Sequence, residues 1–307
     1  MPFTLNMTAA SAVDDSIILA YDQAFIVASE QEQVMDQFAT YKASINAKSI
    51  QFAKYPQLAL ATTPLTEDED PNSVAMSDSQ IILTPAEYGN VVTPTKLASL
   101  QTGGVADLAA ARLVGLNMGR TMDKLAILAL DASANELVVD GVTEATLTAG
   151  NVMTASFLNQ LYNKLARENV LPLSEGMYVL AAHEDQIFDL RNSVGAGSWV
   201  DINKYARPEQ VLRNEVGMLG GFRIVRDNHA TLTPDVSTTV DSYRCYAMGF
   251  NAFGKAVSAE PQMVISGPFD KLQRFVNIGW KGCMQYKIID QDALYVGITA
   301  SSVGANT

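Results

Sequence analysis

Residues 276–288 read Val-Asn-Ile-Gly-Trp-Lys-Gly-Cys-Met-Gln-Tyr-Lys-Ile, and they hold the strongest β-strand signal in the chain. Its even positions are apolar or glycine and its odd positions are mostly polar, which is the period of two expected of a strand with one buried face. At about 3.3 Å per residue the strand would span roughly 43 Å. Asp290-Gln291-Asp292 predicts a turn, and the alternation over 294–298 predicts that the chain returns as a long hairpin.

The longest helix candidate runs from Val105 to Asp131, about 40 Å at ~1.5 Å per residue. Ala111, Gly115 and Gly119 are spaced by four, so they form one narrow stripe of small residues that lets a neighbouring backbone approach closely. The helix and the hairpin have matching lengths, and the simplest architecture lays one across the other. We therefore expect Gly115 and Gly119 to contact the strands around Trp280.

A different composition marks the segment between Lys54 and Lys96, which has no Lys or Arg but holds six carboxylates and five prolines. The prolines exclude a helix. Short apolar alternations at Leu58/Leu60 and at 81–83 predict the two arms of an extended, projecting loop. A hairpin of this kind cannot bury enough apolar surface by itself, so something else must pack on it.

The remaining chain divides around these features. Before the loop, a helical pattern opens at Asp14-Asp15, and Ile50 and Phe52 then alternate as in a strand. Asp140-Gly141 predicts a two-residue hairpin turn. From Val152 helices and strands alternate, with helices near 157–165 and 187–190, a third starting at Pro208, and strands near 177–180, 222–225 and 243–250. The fold class predicted is α+β, with an α/β insertion inside an elongated domain.

The composition and net charge of the chain limit the kinds of partner and compartment that we expect for it. The 307 residues carry a formal net charge of −12, with 4 basic and 12 acidic side chains in residues 1–100 but 11 and 10 in residues 201–307. Such a surface repels a phosphate backbone or an anionic membrane. There is no signal-like start, no uncharged apolar stretch of membrane-spanning length, and no partner near Cys245 or Cys283, so we expect a chain that stays in cytosol-like solvent.

The sequence motifs give little support to an enzymatic function. Residues 249–256 approach the phosphate-binding pattern G-x-x-x-x-G-K-[ST], but Ala256 has no hydroxyl for magnesium and Pro261 follows too soon for the required helix. This segment is predicted to be a turn at a strand end. His183-Glu184-Asp185 is read as the start of a helix, because adjacent helical positions do not converge on one metal. No catalytic, cofactor or metal site is predicted.

Taken in order, these features resemble a known family. Residues 249–254 (Gly-Phe-Asn-Ala-Phe-Gly), Gly279-Trp280-Lys281, residues 288–294 (Ile-Ile-Asp-Gln-Asp-Ala-Leu) and Tyr88-Gly89-Asn90 are similar to the texture of one branch of phage capsid proteins. The family is the major capsid protein of tailed bacteriophages, whose fold is shared with herpesvirus capsid floors and encapsulin compartments. The resemblance covers nearly the whole chain in order.

The resemblance implies a layout and a function. It implies an N-arm over 1–57, an extended loop over 58–101, a peripheral domain with its spine helix over 102–151, an axial domain over 152–261 and closing peripheral strands over 262–307. The chain would then be a structural, non-enzymatic subunit that assembles as hexamers and pentamers into an icosahedral shell around double-stranded DNA. It would assemble in the host bacterial cytoplasm and reside in the virion capsid. Its partners would be a portal and optional decoration proteins, and it would not bind a membrane. An encapsulin-like compartment is the alternative, and a nucleotide-binding enzyme using residues 249–255 is a remote one.

Further expectations follow from this resemblance. Some members carry a fused assembly-directing segment, but residues 1–101 are already assigned to arm and loop, which implies a separate scaffolding protein. The loop has no lysine between 55 and 95, so covalent joining through a loop lysine is not expected. No specific DNA site is expected. The loop acids should meet cations of an adjacent subunit, the acids being Glu67, Asp68, Glu69 and Asp70 and the candidate cations Arg112, Arg120, Lys124, Arg274 and Lys281.

Overall fold

A computed structural model describes residues 25–29, 32–45, 47–56, 58–65, 67–68, 70, 72–173, 176–193, 214–237, 240–267, 270–272 and 274–303. Most of the helix predicted from Asp14, the helix predicted at Pro208, and Glu69 of the loop lie outside these residues. The described α-helices of the main body are α1 (Lys96–Thr102), α2 (Val105–Leu130), α3 (Ala155–Arg167) and α4 (Glu184–Asn192). In the described part of the chain, no helix has the length and apolarity to cross a membrane.

Thirteen strands and three short 3-10 helices, Met35–Phe38, Val139–Gly141 and Glu144–Thr146, are also described. Ordered along the chain the strands are β1 (Thr40–Ala43), β2 (Ile50–Lys54), β3 (Ser79–Leu83), β4 (Ala86–Val92), β5 (Glu136–Val138), β6 (Tyr178–Ala182), β7 (Glu215–Leu219), β8 (Phe222–Arg226), β9 (Leu232–Ser237), β10 (Val240–Met248), β11 (Phe253–Ser266), β12 (Asn277–Ile288) and β13 (Leu294–Thr299).

The strands form three sheets. A four-stranded sheet has the order β1-β11-β12-β4, a seven-stranded sheet runs β5-β13-β10-β6-β8-β7 with β9 also paired to β10, and β2 pairs with β3 alone. The long helix α2, which we call the spine helix, packs on β12. Helix α3 buries Phe157, Leu158, Leu161 and Leu165 in the main core, which also takes in the central strands of the seven-stranded sheet.

The alternation that opened the sequence analysis is confirmed. Within β12 the side chains of Ile278, Trp280, Met284 and Tyr286 are buried, whereas Lys281 and Lys287 are exposed. The spine helix is also confirmed, and it ends one residue before the predicted end. The sequence pattern therefore located the spine helix and β12 correctly.

The partner predicted for β12 was wrong. Its hairpin partner is the preceding strand β11, with Phe253 opposite Ile288 and Ser266 opposite Asn277, whereas β13 crosses to the other sheet and pairs with β10 and β5. Strand β11 was missed because Pro261 read as a break. The ladder absorbs this proline at an irregularity between Val257 and Gln262, which is where a strand tolerates a residue without an N–H.

Two smaller hairpin predictions also need correction. The first arm of the extended loop is β2, in which Ile50 pairs with Leu83, and Leu58 and Leu60 lie outside any strand. Asp140 and Gly141 do adopt the left-handed conformations of a tight turn, with φ of 55° and 68°. However, the turn does not close a hairpin. The strand before it, β5, pairs in parallel with β13, and no strand directly follows the turn.

Candidate functional site

The hairpin of β2 and β3 is anchored at its base and exposed beyond it. Ile50, Phe52 and Leu83 are buried in a small separate cluster with Ala256 and Ile289. The loop that joins the two strands offers apolar side chains to solvent, with Leu60 87% exposed, Leu65 77% and Met76 74%. Exposed apolar side chains lose contact with water when another molecule covers them, so this segment is a candidate contact surface.

Polar contacts fix the direction in which this hairpin leaves the body. Lys54 Nζ lies 2.6 Å from Asp290 Oδ1, and Lys287 Nζ donates to the carbonyl of Ile82 at 3.3 Å. Lys54 connects β2 to the turn after β12, and Lys287 connects β12 to β3. Because the side chains of Lys54 and Asp290 are each about one-third exposed, the pair orients the hairpin more than it stabilises the fold.

The predicted loop acids lie at the surface. Glu67, Asp68 and Asp70 are exposed, and within the described part of the chain none of the three has a salt-bridge partner. Glu69 lies outside the described residues. The expected contact with an adjacent subunit therefore stays a prediction.

Three of the five candidate cations are engaged within their own chain. Arg120 Nε lies 3.2 Å from Glu32 Oε2, Arg274 Nε lies 2.9 Å from Asp270 Oδ2, and Lys124 Nζ contacts the loop after β8. Arg112 and Lys281 are exposed, and neither has an ion pair with another described residue. These two are the cations that the structure leaves available to a neighbour.

The small-residue stripe has a different neighbour from the one expected. A Cβ added at Gly115 would lie 2.4 Å from the carbonyl oxygen of Phe25, and one added at Gly119 would lie 2.4 Å from that of Ser29. Residues 25–29 are helical. The two glycines thus admit an N-terminal helical segment, not the strands around Trp280, and the close approach needs residues without a side chain.

The spine helix does pack across β12, but through other side chains. Trp280 is buried, and its Nε1–H donates to Asn117 Oδ1 at 3.0 Å. Ala110 and Ala111 pack with Ile278 in a cluster of their own. Ala111 is therefore the member of the predicted stripe that faces the sheet.

The phosphate-loop look-alike is a strand-end turn, as predicted. Asn251 has a positive φ of 57°, and residues from Phe253 onward form β11 instead of a helix. Lys255 is buried and its Nζ lies 2.9 Å from Asp36 Oδ2, while Tyr286 donates to the other oxygen of Asp36 at 2.7 Å. A lysine held in this way is not available to a nucleotide.

His183 is likewise structural. It caps helix α4, because its Nδ1 accepts from the backbone N–H of Asp185 at 3.2 Å, and Gln186 reaches back to the N–H of His183. The interpretation of residues 183–185 as a helix start therefore agrees with the geometry.

A polar cluster that the sequence did not predict lies beside the glycine stripe. Asp123 is fully buried in the middle of the spine helix, and its Oδ1 accepts the backbone N–H groups of Val34 and Met35 at 3.0 and 2.8 Å. Its Oδ2 lies 2.9 Å from Nδ1 of His229. One donor atom each from Asp123, Asp227 and His229 lie within 4.8 Å of one another.

Two signals in the sequence could have indicated this cluster. Asp123 continues the four-residue spacing of residues 111, 115 and 119, so it lies on the closely packed face. Asp227 and His229 are two residues apart, and His229 is one of only two histidines.

Comparisons with known proteins rest on structure alone. The sequence matches no protein-family model and no curated protein. The capsid of Ralstonia phage GP4 superposes with a TM-score of 0.70 at 13% identity, covering 90% of this chain and 93% of that one. The chain has the fold of phage capsid proteins.

Other capsids and one particle agree with this assignment. The Cyanophage Pam1 capsid gives a TM-score of 0.65 at 12% identity over 86% of this chain and 89% of that chain. A virus-like particle from Pyrococcus furiosus gives 0.57 at 11% identity over 91% and 98%. The predicted α+β capsid fold is thereby confirmed across almost the full length.

Proposed function

We propose that this chain is a structural, non-enzymatic subunit that self-assembles into the icosahedral shell enclosing the double-stranded DNA of a tailed bacteriophage. The observation that carries the proposal is the projecting β2–β3 hairpin, whose loop exposes apolar side chains in a chain with the phage capsid fold. An isolated two-stranded hairpin is only marginally stable. Contact with a second copy of the chain would bury the exposed apolar side chains of this loop and stabilise it.

The spine helix offers a second surface for assembly. Leu113 and Leu128 are 60% and 55% exposed, and exposed Arg112 lies beside Leu113. Apolar contacts here and in the loop would provide most of the association free energy. Pairing of the loop acids with Arg112 or Lys281 of a neighbour would contribute only about 0–1 kcal/mol per exposed pair, and repetition over the shell would multiply it.

The finer parts of the proposal concern partners and location. The subunit would form hexamers and pentamers and assemble in the host bacterial cytoplasm with a scaffolding protein and a portal. It would reside in the virion, where decoration proteins would be optional partners. The enclosed DNA would meet no specific site, since the chain carries −12 formal charges. The arm, loop, peripheral and axial boundaries given above belong to the same proposal.

The test is electron microscopy of the full chain, expressed alone and together with the other head proteins of its source. We expect closed particles, and we expect a variant in which residues 58–78 are replaced by a short Gly-Ser linker to remain folded by circular dichroism but unassembled. A shorter Gly-Ser replacement confined to the exposed residues 148–150 serves as the control. Particles that form equally well without the loop would contradict the proposal.

The encapsulin-like alternative is favoured only by the similarity to the Pyrococcus furiosus particle. Nuclease-resistant DNA in particles purified from the native source would support the capsid, whereas a co-purified cargo enzyme would support the alternative. The nucleotide-binding alternative has no geometric support, because Lys255 is paired with Asp36. Absence of ATP binding to the folded chain would remove it.

A further inference from the structure

The cluster of Asp123, Asp227 and His229 joins three separate parts of the chain. Asp123 lies on the spine helix, Asp227 and His229 lie in the connection between β8 and β9, and Asp123 also holds the backbone at Val34 and Met35. Nothing in the proposed shell function accounts for two buried carboxylates at this junction. Buried charges ordinarily require a partner of opposite sign.

Each carboxylate has one oxygen fixed by backbone and a second oxygen turned into the shared space. Asp123 uses Oδ1 for two backbone N–H groups, and Asp227 uses Oδ1 for the N–H of His229 at 2.8 Å. The Oδ2 atom of Asp227 is buried and has no hydrogen-bond partner among the described residues. This oxygen is open either to a proton shared with Asp123 or to a bound cation.

His229 lies with its two ring nitrogens towards carboxylates on opposite sides of the ring. Its Nδ1 lies 2.9 Å from Asp123 Oδ2 and 3.8 Å from Asp227 Oδ1, while its Nε2 lies 3.6 Å from Glu32 Oε2 on the outer side. At 3.6 Å the Glu32 carboxylate is an ionic neighbour of Nε2 and not a hydrogen-bond acceptor, so Nδ1 is the nitrogen that faces the two acids. Glu32 is itself held by Arg120.

Charge balance supports the same conclusion. Asp123 and Asp227 are both buried, and one donor atom from each lies within 4.8 Å of the other, so two bare carboxylates in this space disfavour each other. Arg120 is engaged with Glu32, and Lys124 bonds the carbonyl of His229 and the hydroxyl of Thr231. A doubly charged cation between the acids would neutralise both.

We infer that Asp123, Asp227 and His229 form a binding site for a divalent cation of the Zn²⁺ type, which joins the spine helix to the β8–β9 connection beside the N-terminal segment. Two carboxylate oxygens and one imidazole nitrogen are donors that Zn²⁺ accepts, and water would complete the coordination. Mg²⁺ and Ca²⁺ prefer oxygen-only sets, so they should compete poorly. Binding would hold the three segments in one arrangement.

The test uses the full chain, freed of metal with a chelator and titrated with ZnCl₂ by calorimetry and by thermal unfolding. We expect one Zn²⁺ per chain, a rise in Tm of about 5 °C at 100-fold excess over the dissociation constant, and no rise with Mg²⁺. Asp227→Asn and His229→Gln should each weaken Zn²⁺ binding by at least tenfold. His183→Asn, at the other histidine beside a carboxylate, is the matched control and should bind as the unaltered chain does.

A second readout does not depend on any variant folding. Co²⁺ bound at the site should give visible absorption much stronger than that of Co²⁺ in water, and Zn²⁺ should displace it. The inference is overturned if no stoichiometric Zn²⁺ or Co²⁺ binds, or if His183→Asn lowers binding as much as His229→Gln. It is also overturned if Asp227→Asn stabilises the chain while the unaltered chain ignores Zn²⁺, because a proton then occupies the cluster.

Discussion

Alanine at Gly115 or Gly119 tests how closely the N-terminal helical segment lies on the spine helix. The added Cβ would lie 2.4 Å from a backbone oxygen of residue 25 or 29, whereas ordinary van der Waals contact begins at 3.4 Å. The two helical segments would have to separate by about 1 Å. The obstructing atoms belong to the backbone, so a rotamer change cannot relieve the contact.

Two opposing effects set the magnitude. Alanine gains about 1 kcal/mol over glycine in a helix interior. Overpacking costs roughly 1–3 kcal/mol, and more for the leucine variants because the side chain is larger. We therefore expect each alanine variant to lose about 0–2 kcal/mol of unfolding free energy, and each leucine variant to lose more and to reduce soluble assembly.

The assay is urea unfolding of the purified chain, followed by tryptophan fluorescence, since Trp280 is buried next to the spine helix. Limited proteolysis near residues 30–39 reports separation of the N-terminal segment. Gly150→Ala is the control, because nothing but a distant hydroxyl at 3.9 Å lies near its Cβ position. If both alanine variants were about 1 kcal/mol more stable than the unaltered chain, with unchanged proteolysis, helix propensity alone would explain them and the close packing would be refuted.

Three further predictions concern charge. The first reverses the charge of the four loop acids, Glu67, Asp68, Glu69 and Asp70. This change should lower particle yield and salt resistance in sedimentation assays, and an unchanged yield would contradict the expected contacts. Asp36→Asn should cost about 2–3 kcal/mol in urea unfolding, because Lys255 loses its buried carboxylate partner, and an effect below 0.5 kcal/mol would show the pair to be unimportant. Purified subunits should bind duplex DNA weakly and only at low salt, whereas sequence-selective, salt-resistant binding would refute a passive container.

Periodicity predicted the spine helix and β12 because one side of each is buried along most of its length. The alternation of residues 276–288 and the apolar pattern of residues 105–130 are local properties, so they survive without knowledge of any partner. The order of elements then sufficed for the resemblance. Strand pairing did not follow, because β13 carries the same alternation whether it pairs with β12 or with β10.

The candidate site was harder to predict for a related reason. The stripe of residues 111, 115 and 119 indicates that some backbone approaches closely, but it does not say which one. Asp123 extends the stripe by one step, yet its burial depends on residues 34 and 35, almost ninety positions earlier. Intersubunit contacts of the loop acids depend on a second molecule and cannot be read from one chain.

The described residues between 25 and 43 are held in the N-terminal segment by four contacts. Gly115 and Gly119 admit its helical part, Asp123 caps the backbone at residues 34 and 35, Asp36 pairs with Lys255, and β1 forms a parallel ladder with β11 from residue 254 to residue 257. Each contact alone is modest, but all of them act on one short stretch. Loss of any one leaves a buried acceptor, a cation or a strand edge without its partner, and the remaining contacts must compensate for that free-energy cost. The segment should therefore leave the body as one unit, and any process that moves it must exchange the four contacts together.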